Sequence, residues 1–226
     1  MRLEQPDRGF TLIEILVVLA IFAIIVTTIF GSFHAVFNTV APLREDQDLY
    51  EMAKDCLDRM IVDLESVHVS LPPEYRPPGL NDPPDPYRIF GETTPVENAL
   101  FGRLSFAGLA HVSLGKTRRE GIAGITYYVQ SSNDEQFVLR RSDRLYPHEP
   151  FSENETDPIL CEYVRKLSFK YYDHEGSDYD RWDSDADDFD HATPRAVGIA
   201  LEVGTADRWI LLETTVALPV FRKKVE

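Results

Sequence analysis

An uncharged apolar run near the N-terminus constrains this chain more than any other feature. The run extends from Ile15 to Phe33 and contains no Asp, Glu, Lys or Arg. At about 1.5 Å per residue, a helix of this length covers roughly 28 Å, close to the roughly 30 Å of a bilayer's hydrocarbon core. The run is longer than the apolar region of a secretory signal peptide, and no Ala-x-Ala-like site follows it. We therefore predict a membrane-spanning helix that stays on the mature protein.

An ordered polar and apolar motif, RGFTLIE at residues 8–14, stands directly before the run. Glu14 is the acidic residue of this motif and lies at the edge of the apolar helix. An uncompensated carboxylate inside a bilayer costs about 2 to 3 kcal/mol on insertion scales. Glu14 therefore needs either a cationic partner or access to the lipid headgroups.

The same motif, followed by an apolar helix, resembles the N-terminal signal of type IV prepilins and type II secretion pseudopilins. The resemblance implies that a prepilin peptidase removes a leader, residues 1–9, by cleavage between Gly9 and Phe10, and that Phe10 is then N-methylated. It also implies that Glu14 pairs with the N-terminal amine of a neighbouring subunit during assembly. A buried carboxylate is tolerated as part of a pair, so an incoming amine would relieve its cost. The leader departs from the family in having no net positive charge.

The helical part is predicted to continue beyond the membrane. We assign a transmembrane helix to residues 10–41 and an amphipathic stem helix to residues 42–69, with Pro42 marking a kink or joint because proline cannot donate a backbone hydrogen bond. The stem helix should place an apolar stripe against a sheet. The residues of this stripe recur at helical spacing: Leu49, Met52, Ala53, Cys56, Met60, Leu64 and Val67.

The rest of the chain is predicted to be rich in strands. Residues 70–102 contain eight prolines and are assigned to an irregular proline-rich loop. Residues 103–226 form a β-rich body in which short turns join neighbouring strands as hairpins. Together with the resemblance, these patterns predict an α+β, pilin-like fold: a long N-terminal helix packed on a mainly antiparallel β-sheet body. Apolar residues alternate along the expected strands: Ile125, Tyr127, Val129; Leu167, Phe169, Tyr171; Val197, Ile199, Leu201, Val203.

The two cysteines, Cys56 and Cys161, have no metal-ligand spacing. In an oxidising compartment they can form a disulfide between the stem helix and the sheet. Two buried free thiols explain the same residues equally well. Both interpretations stay open at the level of sequence.

An acidic segment, from Asp173 to Asp190, carries nine carboxylates and one arginine. Asp183, Asp185 and Asp187 match the first three ligand positions of an EF-hand loop, which suggests calcium. The later positions of the motif do not match, because Asp188 and Pro194 stand where glycine and glutamate are required. A solvated loop is the favoured interpretation, with calcium as the alternative.

The composition argues against several functions. The net charge of −15 repels phosphate backbones, so nucleic acid is not an expected partner. Neither a His-Glu-x-x-His nor a Gly-x-Ser-x-Gly motif occurs, and we expect no enzymatic activity and no cofactor other than the calcium just considered. The chain therefore has the character of a structural subunit.

The body also resembles one particular branch of the family, the J-type minor pseudopilins of type II secretion. The resemblance rests on its size, the proline-rich loop, the pattern of residues 167–173, Trp182, and residues 194–197. It implies an inner-membrane protein with a periplasmic body, located at the pseudopilus tip and used in protein secretion. Its partners would be I-type and K-type minor pseudopilins, the major pseudopilin and the prepilin peptidase. The alternatives are a minor pilin of a type IV pilus or competence system, and a membrane-tethered calcium-binding or ligand-binding module.

Overall fold

The fold comprises one long helix and a body of two antiparallel sheets. The chain divides into two compact units, Met1–Asp48 and Leu49–Glu226. The second unit contains every strand of the described residues. A computed structural model describes residues 11–79, 82–112, 120–132, 136–147 and 150–224, and for residues 34–45 it describes the backbone without the side chains.

The first element is helix α1, Leu12–Glu65. After it the described chain forms short and long strands and one 3-10 helix, Asp187–Phe189. The strands are β1 (Val67–His68), β2 (Phe90–Val96), β3 (Ala99–Gly108), β4 (Ala123–Ser131), β5 (Phe137–Leu145), β6 (Ile159–Cys161), β7 (Val164–Tyr172), β8 (Asp178–Tyr179), β9 (Trp182–Asp183), β10 (Ala196–Gly204) and β11 (Trp209–Ala217).

The strands form two sheets. The seven-stranded sheet has the order β6-β5-β4-β3-β2-β9, with β1 paired to β3 as an additional strand. The four-stranded sheet has the order β11-β10-β7-β8. Every ladder is antiparallel, and most neighbours are joined by hairpins. The predicted α+β fold, with an apolar N-terminal helix followed by a mainly antiparallel body, is therefore confirmed.

The body's core lies between the C-terminal part of α1 and the two sheets. Ala53, Cys56, Met60 and Leu64 are almost fully buried and lie on one face of α1, as their spacing predicted. The alternating apolar residues predicted on β4, β7 and β10 are buried in the same cluster. Burying such side chains contributes about 1.5 to 3 kcal/mol each.

One glycine shows how closely the two sheets approach. Gly91, on β2, faces Tyr171 on β7. A Cβ atom at position 91 would lie 1.8 Å from the Tyr171 hydroxyl oxygen. Only glycine therefore allows this tyrosine to fill the space between the sheets.

The structure corrects two predicted boundaries. The predicted proline-rich loop, residues 70–102, contains strand β2 and the start of β3. Pro95 is tolerated in β2 because β9 pairs with β2 only at Phe90 and Gly91, which leaves Pro95 on a free edge. The predicted stem helix, residues 42–69, ends at Glu65 instead, because the next residues pair with β3 as strand β1.

Candidate functional site

Glu14 lies in the first turn of α1, which begins with a side-chain cap. The Glu14 N–H donates to the carbonyl of Thr11 at 3.1 Å and to the Thr11 hydroxyl at 3.3 Å. The two residues have the Thr-x-x-Glu spacing of a capping box. The Glu14 side chain is exposed, and within the part of the chain that is described no basic group lies at ion-pair distance from it. Its carboxylate can therefore receive a cation from another molecule.

The apolar segment that follows is suited to a membrane. Leu12–Phe33 has a mean hydropathy of 2.9, and none of it is buried by the rest of the described chain. Thr27, Thr28 and Ser32 each donate their hydroxyl to a carbonyl one turn earlier, at 2.8 to 2.9 Å. Because their hydrogen bonds are satisfied within the helix, these hydroxyls add little cost in hydrocarbon. The segment is a single N-terminal apolar helix consistent with a membrane anchor.

Three residues of the predicted N-terminal signal and helix joint, namely Gly9, Phe10 and Pro42, are not described at the level of their side chains. Gly9 and Phe10, the predicted cleavage and methylation positions, lie outside the described residues. The backbone of α1 continues through Pro42 as helix, and its side chain is outside the description. Cleavage, methylation and a kink at Pro42 stay predictions.

A buried ionic cluster joins α1 to the seven-stranded sheet; it consists of Arg59, Asp63, Tyr127, Arg141 and Asp143. Asp63 is fully buried and accepts hydrogen bonds from Arg141 Nε at 2.6 Å and Nη2 at 3.2 Å. Arg59 and Tyr127 donate to the same carboxylate. Arg141 also reaches Asp143, two residues along β5. The cluster therefore holds the end of α1 at one position on the sheet.

The electrostatics of the buried ionic cluster keep Asp143 and Arg141 charged. Burial alone raises the pKa of the Asp143 carboxyl. Hydrogen bonds from His111, from the Val112 N–H and from Arg141 outweigh this and hold the pKa below its ordinary value. Burial alone lowers the pKa of Arg141, but its bonds to Asp63 and Asp143 raise the pKa above the ordinary value. The cluster is thus an ionic link at neutral pH.

A second buried centre surrounds Arg222, near the C-terminus. Its guanidinium is almost fully buried and lies 3.3 Å from the centre of the Tyr75 ring. Arg222 Nη1 is 3.2 Å from Asp85, and Nη2 is 3.6 Å from Asp185. The guanidinium therefore ties the C-terminal segment to the proline-rich loop and to the acidic segment. It also donates to the carbonyls of Ser70, Ser184 and His191, at 2.9, 2.6 and 2.7 Å.

The structure does not bring the three predicted calcium ligands together. Asp185 is buried near Arg222, Asp183 faces Arg88 at 3.6 Å, and the side chain of Asp187 is 98% exposed. Burial, together with the nearby charge of Asp85, raises the pKa of Asp185. Among the residues described, no group of three His, Cys, Asp or Glu is arranged to hold a metal ion. Arg88 lies beside Asp183 and Arg222 lies beside Asp185, so each carboxylate already has a cationic neighbour. Calcium binding stays a prediction that titration can test.

The structure does bring the two cysteines together. Cys56 on α1 and Cys161 on β6 are both buried and are free thiols. A hydrogen bond between the two thiols, together with burial, raises the pKa of Cys56. Their contact is compatible with both interpretations made from the sequence, and disulfide formation stays a prediction.

Several important residues were missed by the sequence analysis. Thr11 could have been found, because Thr-x-x-Glu before an apolar run is the signature of a capping box. Asp63 and Arg141 are 78 positions apart and belong to no local motif. Arg222 and Ser70 are 152 positions apart. Such pairs are recognisable only after the strands are placed in the sheets.

The fold and the N-terminal site together define a class of protein. An exposed apolar helix begins with a cap and with a carboxylate that has no basic partner among the described residues, and the chain then continues into an antiparallel β body. This is a pilin-like arrangement, and its apolar helix is consistent with a membrane anchor.

Comparison with known protein families identifies the N-terminal segment. Residues 5–30 match the family model of the prokaryotic N-terminal methylation motif. No curated protein matches the chain at a significant level. The chain therefore carries a type IV prepilin-like N-terminus, and the matched range includes Gly9, Phe10 and Glu14. Such a motif indicates processing by a prepilin peptidase and assembly with other pilin-like subunits.

Proposed function

We propose that the protein is a minor pseudopilin, a structural subunit at the tip of a type II secretion pseudopilus. Its helix anchors it in the bacterial inner membrane, and its acidic body faces the periplasm. The proposed role is assembly with I-type and K-type minor pseudopilins and with the major pseudopilin, and involves no catalysis. The resemblance of the body to the J-type branch is what favours this system over a type IV pilus or competence system.

The observation that carries the assembly role is the state of the Glu14 carboxylate. It stands at the start of an exposed apolar helix without a basic partner among the described residues. In a bilayer this charge is costly until a cation reaches it. A methylated N-terminal amine of a neighbouring subunit has the required charge and lies at the required depth, so pairing both drives assembly and sets its register.

The test is a Glu14→Gln variant of the full chain, produced in cells that carry the secretion system. We expect the variant to be processed and to enter the membrane, but to be lost from cross-linked complexes with the I-type and K-type subunits, and secretion to fail. Glu65→Gln is the matched control, because Glu65 is an exposed glutamate in the same helix beyond the apolar segment. It should assemble and secrete normally.

The outcome distinguishes the alternatives. Normal assembly and secretion by the Glu14→Gln variant would contradict the proposed role of the carboxylate. Capture by minor subunits of a type IV pilus in place of the I-type and K-type subunits would move the protein to that system. N-terminal sequencing of the membrane form should show a methylated Phe10 in either case.

A further inference from the structure

The outer face of the seven-stranded sheet carries a groove of about 500 Å³ that the assembly role does not use. Its floor is formed by Ser105, Thr126 and Ser142, which are cross-strand neighbours on β3, β4 and β5. The next residue on β4, Tyr127, reaches Asp63 of α1 on the opposite face. Because successive side chains of a strand alternate between faces, the three hydroxyls point away from α1. Thr126 and Ser142 are buried, and the hydroxyls of Ser105 and Thr126 are hydrogen-bonded to each other at 2.9 Å. The floor is therefore uncharged and closely packed.

The first wall of the groove is a loop held by hydrogen bonds. The loop from Pro150 to Pro158 crosses the sheet, and the Tyr128 hydroxyl is 3.0 Å from the carbonyl of Asn154. Arg140 donates to loop carbonyls at 2.6 and 2.9 Å. Burial raises the pKa of Tyr128 to about 12, so its hydroxyl keeps its proton and donates. This wall is in place before any ligand arrives.

The second wall is the proline-rich loop at Pro83, Pro84 and Pro86. Asp85 lies between these prolines, and its carboxylate accepts a hydrogen bond from Arg222 at 3.2 Å. The backbone N–H of Asp85 donates to the carboxylate of Asp185 at 2.8 Å. A groove whose two walls are already fixed loses little conformational entropy when it binds.

Three arginines, Arg88, Arg103 and Arg144, line the groove within a chain of net charge −15. Arg88 lies over the Phe90 ring at 4.8 Å, and Arg103 lies over the Phe151 ring at 5.7 Å. Both also face a carboxylate, Asp183 at 3.6 Å for Arg88 and Glu92 for Arg103.

Arg144 differs from the other two arginines. It donates to the carbonyl of Ser152 at 2.9 Å, and none of the described carboxylates forms an ion pair with it. Its guanidinium therefore has donors left for an incoming anion. We define the arginine groove as the hydroxyl floor, its two walls and these three arginines.

We propose that the arginine groove binds an acidic peptide segment of a partner protein, with a carboxylate on Arg144 and the rest of the segment lying over the uncharged floor. A guanidinium pairs with a carboxylate through two parallel hydrogen bonds. The aromatic rings at Phe90 and Phe151 provide apolar contact beside the charges. A second copy of the chain fits less well, because it would bring another net charge of −15, whereas a short peptide brings a few carboxylates that Arg144 can contact directly.

The proposal is tested with the full chain in a neutral detergent and with fluorescently labelled synthetic peptides. One peptide alternates glutamate with alanine, and its counterpart carries glutamine in place of glutamate. We expect fluorescence anisotropy at low salt to show binding of the glutamate peptide and at least tenfold weaker binding of the glutamine peptide. The Arg144→Gln variant should bind the glutamate peptide about tenfold more weakly than the wild type does.

The matched control is Arg165→Gln, which removes the same charge from β7 of the four-stranded sheet, where Arg165 pairs with Glu202 at 2.8 Å. It should bind like the wild type. Equal binding of the two peptides, or an equal loss in the Arg165 and Arg144 variants, would overturn the proposal. So would sedimentation showing that Arg144→Gln dissociates a self-associated form. If Arg144→Gln does not fold, Arg103→Gln decides by the same criteria.

Discussion

The buried ionic cluster gives the sharpest prediction about stability. Replacing Asp63 with asparagine keeps the shape of the side chain but leaves the charge of Arg141 buried, with Asp143 as its remaining carboxylate. Breaking a buried ion pair from one side costs about 3 to 5 kcal/mol. Because Arg141 keeps one partner, we expect the free energy of unfolding to fall by about 3 kcal/mol, the lower end of this range. For a body of this size that lowers the melting temperature by about 6 to 12 °C.

The assay is urea and thermal unfolding of the full chain in detergent, followed by tryptophan fluorescence, since Trp182 is buried in the body's core. The control is Asp58→Asn in the same helix, where the carboxylate pairs with Lys54 and is 52% exposed. Its effect should be much smaller, because water screens an exposed pair. Replacing Asp63 and Arg141 together with leucine and methionine should recover part of the lost stability, because it removes the uncompensated guanidinium but leaves the Tyr127 hydroxyl without its acceptor. A loss below about 1 kcal/mol for Asp63→Asn, or no recovery in the double variant, would refute the reasoning.

Three further predictions concern pH, metal and redox state. The pKa of Asp143 is lowered from about 3.8 by folding, so its stabilisation is complete above that value and is lost as the pH falls through the folded pKa. Asp143→Asn should therefore flatten the decline in unfolding free energy in acid, and an unchanged acid profile would contradict this. Millimolar calcium should leave the melting temperature unchanged, since Asp185 is already engaged by Arg222; a clear rise would support the calcium site instead. Mild oxidation should join Cys56 and Cys161, with a mass loss of two hydrogens, and stabilise the body by up to about 4.7 kcal/mol because the bond closes a loop of roughly 100 residues. Absence of the bond in mass spectrometry would favour two permanent thiols.

The two buried centres explain how an acidic chain remains compact. Carboxylates that are buried in the body each meet an arginine: Asp63 meets Arg141, and Asp85 meets Arg222. The remaining negative charge is on exposed positions, where water screens it. Because the buried carboxylates are paired, repulsion between negative charges is confined to the surface of the body.

Local patterns were sufficient where a feature is encoded by neighbouring residues. The buried stripe of α1 and the alternating strands followed from spacing alone, because periodicity fixes which side chains share a face. The end of the proline-rich loop was not predictable in this way. Pro95 excludes a central strand, and only the pairing of β2 shows that this position lies on a free edge.

The sequence by itself determined the features of the N-terminal segment on which the proposed function rests. The methylation motif, the apolar helix and the position of Glu14 are all contained in consecutive residues, and their physics depends on length, charge and hydropathy. Only the tertiary structure revealed three other features: the two buried ionic centres, the proximity of the two thiols, and the arginine groove. These depend on residues tens to more than a hundred positions apart, and such residues meet only when the two sheets and α1 pack around one core.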